Sequence, residues 1–217
     1  MRFIIMGPAG AGKGTLASKI KESFDIAHVA TGNMFRAEIA NKTEMGLAAK
    51  TYIEAGLLVP DDVTIEMVMQ RLHKEDCKHG FLLDGFPRTI AQAEALHEAL
   101  SKEDQDIELV LNLVINYDSL AKRIVGRRIC EDCDAIYNVV FTPPKVENIC
   151  DRCGGNLIQR GDDTEEQLLI RMEEYYKRTE AVLDYYRSID KLVDIDANAL
   201  PDEVWSEVYG VLKEVNG

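Results

Sequence analysis

Four short, predominantly apolar runs punctuate the chain: Phe3–Met6, Phe81–Leu83, Leu109–Ile115 and Leu192–Ile195. Strands buried on both faces read this way, because a parallel sheet carries helices above and below it. Between these runs the spacing becomes helical. Leu16–Phe24 follows the first run. Thr89–Leu100 follows the second, with Ile90, Ala93, Leu96 and Leu100 on one face. Glu165–Tyr186 places Leu168, Met172, Tyr175, Thr179, Val182 and Tyr186 along one side, and Pro201–Val215 closes the chain. Strands alternating with helices predict a doubly wound α/β domain.

Two stretches break the alternation. Thr31–Val59 reads as short helices without a strand. Arg127–Asp163 carries paired cysteines, "TPP" at Thr142–Pro144 and "CGG" at Cys153–Gly155, the composition of a small loop-rich lobe. The expected organisation is therefore a core of residues 1–29, 60–126 and 164–217, with inserts at 30–59 and 127–163. The chain shows no fixed-period repeat and no low-complexity tract.

Composition narrows the class. With 217 residues and 46% hydrophobic content, the chain can bury one sizeable core plus small inserts. No apolar run nears the ~18 residues of a membrane span, and Phe3–Met6 lacks a signal-peptide layout. A soluble cytoplasmic protein is expected. A formal charge of −13 repels nucleic acid and anionic membranes on average. A bound anion would need a local basic cluster.

"GPAGAGKGT" at Gly7–Thr15 offers the start of one. Gly7, Gly12 and Lys13 satisfy G-x-x-x-x-G-K between an expected strand and an expected helix. In that setting the backbone N–H groups of Gly10, Ala11, Gly12, Lys13, Gly14 and Thr15 can curl around phosphate oxygens, aided by the helix N-terminus. Lys13 reaches outer phosphates as a point charge. Gly14 stands where Ser or Thr usually follows the lysine, and Thr15 comes one later. A plain glycine-rich turn is the competing reading, and lysine, spacing and flanks together disfavour it.

Cys130-x₂-Cys133-x₁₆-Cys150-x₂-Cys153 fits the spacing of a four-thiolate zinc site. All four positions are filled, so the metal would be structural. It would compensate for a lobe too small to build much core. Two redox pairs or disulfides are the alternative, which a cytoplasmic chain disfavours, and iron suits the same ligands. Cys77 stands alone and reads as an ordinary thiol.

Four motifs, "GPAGAGKGT", "TGNMFR" at Thr31–Arg36, "GFLLDGFPRT" at Gly80–Thr89 and "GRRIC" at Gly126–Cys130, together resemble the adenylate kinase family, in its bacterial long-lid form with a metal in the lid. The resemblance spans essentially the whole chain. It implies a nucleoside monophosphate kinase fold with a P-loop, an AMP-binding insert at 30–59 and a zinc-containing lid at 127–163. It also implies a monomer that uses ATP, AMP and ADP with Mg²⁺, with no nucleic-acid or membrane partner. AMP would be held by Thr31, Arg36, the Leu57, Leu58 and Val59 backbone, Gly85, Phe86, Pro87, Arg88 and Gln92. ATP would add Arg123, Arg127, Ile136, Tyr137 and the Ala199 backbone. Arg160 and Arg171 would serve the transferring phosphoryl group and AMP, so that Lys13, Arg88, Arg127, Arg160 and Arg171 carry the chemistry. Asp84, at a strand's C-terminal end, would hold Mg²⁺ through water; an ordinary turn aspartate remains the alternative. Asn33 departs from the family's usual aspartate, Ala9 from its proline and Ala197 from its glycine.

Two other readings stay open at this level. One is a kinase for UMP or CMP, or one that uses GTP. The other is a P-loop switch with the cysteine lobe as a docking finger. Two phosphate-binding constellations weigh against a switch, which needs only one.

Overall fold

The computed structural model describes residues 1–216, with the side chain of Asn216 excluded. Five strands form a wholly parallel sheet in the order β2-β3-β1-β4-β8: β1 Arg2–Met6, β2 Ala27–Ala30, β3 Phe81–Asp84, β4 Leu109–Val114 and β8 Leu192–Asp196. β1 is central, pairing Ile5 with Asp84 on one side and with Leu111 on the other. Side chains alternate across its pleat. Phe3 and Ile5 face one core with Leu111, Leu113, Leu16, Ile20, Val208 and Leu212. Ile4 and Met6 face the other, with Val29, Leu83, Val110, Leu96 and Val182. The two-sided apolar character of the runs follows directly from these two layers.

Helices α1 (Lys13–Phe24) and α9 (Pro201–Asn216) cover the first face, and α5 (Ile90–Ser101) the second. Asn112 interrupts the apolar run of β4 yet is buried. Its Nδ2 donates to Asp194 Oδ1 at 2.6 Å across the β4–β8 register, so its polarity is satisfied.

Four features depart from the sequence reading. β2 was not anticipated. "AHVA" is short and small, with one polar residue of four, and it becomes a strand only because β3 offers an edge. Helices α4 (Asp61–Leu72) and α6 (Tyr117–Val125) were also missed. α6 is nine residues long, with exposed Asp118 and Lys122 opposite buried Leu120 and Ile124, while Arg123 is half-buried. Finally, Glu165–Tyr186 is not one uniform helix. It comprises α7 (Glu165–Glu174), a π-helical turn at Tyr175–Thr179, and α8 (Glu180–Ser188). The expected single stripe is consequently split: Leu168 and Met172 join the first core, whereas Tyr175, Val182 and Tyr186 pack with the second. A wider turn re-phases the side chains that follow it.

The two interruptions fold as separate clusters. Helices α2 (Thr31–Ala40) and α3 (Glu44–Glu54) bury Phe35 and Ala49 against Val59 and Met67. The Thr43 side chain caps α3 by accepting from Gly46 N–H at 3.0 Å. Strands β5 (Arg127–Cys130), β6 (Ile136–Asn138) and β7 (Leu157–Ile158) form a small antiparallel sheet in the order β6-β5-β7. Its buried cluster holds only Cys130, Cys150 and Leu157.

Candidate active site

The turn between β1 and α1 sits at the carboxyl ends of the strands, where open α/β sheets bind ligands. Gly10 and Gly12 adopt φ of 86° and 98°, a region costly for residues with a Cβ. Gly12 is the N-cap of α1 and offers no side-chain cap, and no acidic residue occupies the first turn. The first intrahelical bond runs from Leu16 N–H to Gly12 O, at 3.0 Å. The N–H groups of Lys13, Gly14 and Thr15 precede it and are left for an anion.

Lys13 arches back over this turn, its Nζ donating to Gly7 O at 2.7 Å and Pro8 O at 2.9 Å. Its pKa is pushed down to about 8. Burial is the main cause; Asp84 opposes it, and the positive fields of Arg88, Arg127 and Arg171 add to it. Asp84 ends β3 beside the turn, with His28 Nε2 3.4 Å from its Oδ2. Burial resists its ionisation, but the His28 contact and the charges of Lys13 and Arg88 hold it below the usual carboxylate range.

The arginines from distant segments converge. Arg171 is depressed to about 10 by burial first, then by Arg127, Arg88 and Arg36. Arg160 is depressed to about 9, again by burial and then chiefly by Arg36 and Arg127. Burial likewise lowers Arg36 and Arg88. A guanidinium keeps its proton at neutral pH; these depressions reflect burial first, with neighbouring positive charge second at Arg36, Arg160 and Arg171. Two carboxylates offset part of it: Asp163, fully buried, pairs with Arg127 through both oxygens, and Asp162 pairs with Arg171. Six cations against three carboxylates, counting Asp84, leave a site that favours a polyanion.

Arg88 is held by its surroundings. Its Nε donates to Gly85 O at 2.9 Å, its N–H donates to Gln92 Oε1 at 2.8 Å, and its carbonyl accepts from Thr179 Oγ1 at 3.2 Å. The Phe86–Pro87 bond ahead of it is cis. Gly85 has φ 81°, and a Cβ there would lie 2.8 Å from Thr31 Oγ1 and 2.9 Å from Arg88 Nη2. Thr31 itself donates to Gly85 O at 2.9 Å. Arg36 donates to Asn33 Oδ1. Asn33 brings no negative charge to Arg36, which is offset instead by the fields of Asp134, Asp163 and Asp84, and this gives the Asn33 departure an electrostatic consequence. Leu57 is exposed, and Val59 is buried against Phe35 and Met67.

Arg123 stands apart from the cluster. It bridges the turn to the loop after β8, donating to Ala11 O at 3.3 Å and Ala197 O at 2.9 Å. Ala199 lies half-buried in that loop, which Asn198 ties to Asn116 Nδ2 at 2.7 Å. Ile136 Cδ1 lies 3.1 Å from where a Cβ on Gly14 would be, so the small lobe overhangs the turn and a larger residue at 14 would have to displace it. Tyr137, one residue on, turns its hydroxyl the other way: it accepts from Asp151 N–H at 2.8 Å and sits 3.5 Å from Cys150 Sγ.

In that lobe the four sulfurs of Cys130, Cys133, Cys150 and Cys153 all lie within 4.8 Å of one another. Recorded separations are 3.4, 3.6 and 3.4 Å. A tetrahedral centre with metal–sulfur bonds of about 2.3 Å has sulfur–sulfur edges of about 3.8 Å. The thiols are unpaired and too far apart for disulfides, so the set fits a metal ion. Cys77 is buried with Arg71 Nη1 3.0 Å from its sulfur.

Sequence reading missed three supporting side chains: His28 on Asp84, Thr179 on Arg88, and Asp61, which binds Thr89 and Gln92. Each acts across 28 or more positions, and only an anticipated β2 would have hinted at His28.

This fold and site define a P-loop nucleotide-binding protein with a cysteine-built lobe. The adenylate kinase family model matches residues 5–191. An adenylate kinase of Bacillus licheniformis is 50% identical over 212 residues, covering 98% of both chains. That of Caldanaerobacter subterraneus is 49% identical, covering 98% of this chain and 96% of its own length, and that of Archaeoglobus fulgidus is 45% identical over 99% of both. The chain belongs to the adenylate kinase family. None of its described helices is long and apolar enough to cross a membrane.

Proposed function

We propose that this protein catalyses reversible transfer of the terminal phosphoryl group of ATP to AMP, giving two ADP. The convergence of Arg36, Arg88, Arg127, Arg160 and Arg171 with Lys13 carries the reading, because one nucleotide alone does not need so many cations. ATP lies with its phosphates on the Gly10–Thr15 turn, its base between Ile136 and the Ala199 loop, and Arg123 and Arg127 alongside. AMP occupies the side formed by Thr31, Arg36, Leu57–Val59, Gly85–Arg88 and Gln92. Residues 30–59 act as its binding insert and 127–163 as a lid, both on the core of 1–29, 60–126 and 164–217.

In the reaction an AMP phosphate oxygen attacks the γ-phosphorus, a new P–O bond forms, and the bond to the β-phosphate oxygen breaks. The acceptor oxygen is already anionic, so no general base is required. Negative charge spreads over the equatorial oxygens, and the fixed guanidiniums stabilise it without reorganising. Asp84, at the end of β3 beside the turn, would hold a magnesium ion through water, and magnesium would neutralise phosphate charge. Cys130, Cys133, Cys150 and Cys153 would hold a structural zinc, which would let the small lobe fold. Lid closure excludes water, which would otherwise accept the phosphoryl group.

A coupled assay of ADP formation from ATP plus AMP tests the reading. Turnover dependent on AMP is expected. Turnover with UMP but none with AMP would refute it in favour of a pyrimidine kinase, and hydrolysis alone would leave a switch.

A further inference from the structure

Gln92 is 2% exposed, and its amide is held at both ends. Its Oε1 accepts from Arg88 N–H at 2.8 Å, and its Nε2 donates to Asp61 Oδ1 at 2.6 Å. The other Asp61 oxygen accepts from Thr89 Oγ1 at 2.9 Å, and that hydroxyl oxygen in turn accepts from Gln92 N–H at 3.2 Å to cap α5. The two partners have opposite and fixed polarity. A backbone N–H can only donate, and a carboxylate can only accept. A flipped amide would set nitrogen against N–H and oxygen against carboxylate. Its oxygen and nitrogen positions are therefore determined.

We infer that Asp61 is a positioning residue that makes the monophosphate site selective for a base with an amino donor beside a ring acceptor. The inference rests on the reading that Gln92 meets the base of AMP. After its two internal bonds Gln92 retains one N–H and one oxygen lone pair, in a fixed order. Adenine presents a 6-amino donor next to the N1 acceptor and complements that order. Hypoxanthine, guanine and uracil present a carbonyl acceptor next to an N–H donor, and would pair only with the flipped amide. Cytosine shares adenine's order, so its rejection must come from the size of the slot. Asp61 performs this role from the first turn of α4, directly after the Leu57–Val59 segment, and so couples the insert's end to α5.

The test compares kcat/KM for AMP and for inosine monophosphate, which differs only in carrying a 6-oxo group and N1–H. Asp61→Asn is isosteric but can donate as well as accept, and so releases the amide. It is expected to narrow the AMP preference by about tenfold, the scale of a bidentate base contact, with KM for ATP unchanged. Gln92→Leu removes the amide and should narrow the preference further. If Gln92→Leu narrows it and a folded Asp61→Asn does not, the Asp61 role is overturned while the base contact stands. If Gln92→Leu leaves the preference intact, the base is not read there and both fall. Independently of any variant, the Gln92 side-chain NH2 in the wild-type protein should exchange its protons with solvent far more slowly than the NH2 of exposed glutamines, because it is buried and bonded to Asp61. Exchange as fast as that of an exposed glutamine would overturn the locked amide.

Discussion

Lys13 supplies the most quantitative prediction, through pH. In the ligand-free protein its ammonium sits near a pKa of about 8, because burial and the neighbouring arginines disfavour its charge. It is then about nine-tenths charged at pH 7 and about one-tenth charged at pH 9. A bound triphosphate supplies the negative charge that Lys13 lacks and raises its pKa well above 9. Binding therefore draws in a proton, and affinity must fall as pH rises. Between pH 7 and 9 the loss is about tenfold, or about 1.4 kcal/mol. The nucleotide's own phosphate titration, near pH 6, is essentially complete before this window opens. Calorimetric titration with a non-hydrolysable ATP analogue measures both quantities. Repeating it at pH 8 in buffers of different ionisation heat should show uptake of about half a proton. Lys13→Met should bind weakly at every pH and lose the slope. An affinity that stays flat from pH 7 to 9, or a slope that survives in Lys13→Met, would refute the reasoning. The same depression penalises the ligand-free fold at neutral pH, and that penalty fades as pH rises from about 8 towards 10.5.

The remaining expectations concern the lid. Stripping metal with a chelator should lower the melting temperature and loosen residues 127–163, since structural zinc binding contributes on the order of 10 kcal/mol to such small domains; zinc should restore the melting curve, and a curve indifferent to chelation would show that the cysteines need no metal. Asp163→Ala leaves the Arg127 guanidinium without its buried partner and should cost the free protein about 3 kcal/mol, or about 6–12 °C of melting temperature at this chain length. A dinucleotide joining both substrates should recover much of that loss, and a melting point within ~2 °C of wild type would contradict the ion pair's role.

The Gly7–Thr15 turn, the cysteine quartet and the alternating core were legible in the sequence because each is local. A glycine turn, two CxxC knuckles and a two-sided apolar strand each specify their geometry within about twenty residues. The arginines were legible only through the likeness of their motifs to a family. Nothing in the spacing of Arg36, Arg88 and Arg171 states that they share one electrostatic field.

Tertiary structure alone decided the rest. It made a strand of Ala27–Ala30, whose four mostly small residues are too short a run to declare themselves, by giving them β3 to pair with. It split the long helix at Tyr175–Thr179, where one i, i+4 pattern hides two differently directed faces, and the turn there brings Thr179 onto the Arg88 carbonyl. It also chose the partners of Asp84, Asp163 and Gln92. A sequence encodes propensity and pattern over a few turns, whereas the partner of a buried polar group depends on which distant backbone arrives beside it, and that is settled only when the whole chain packs.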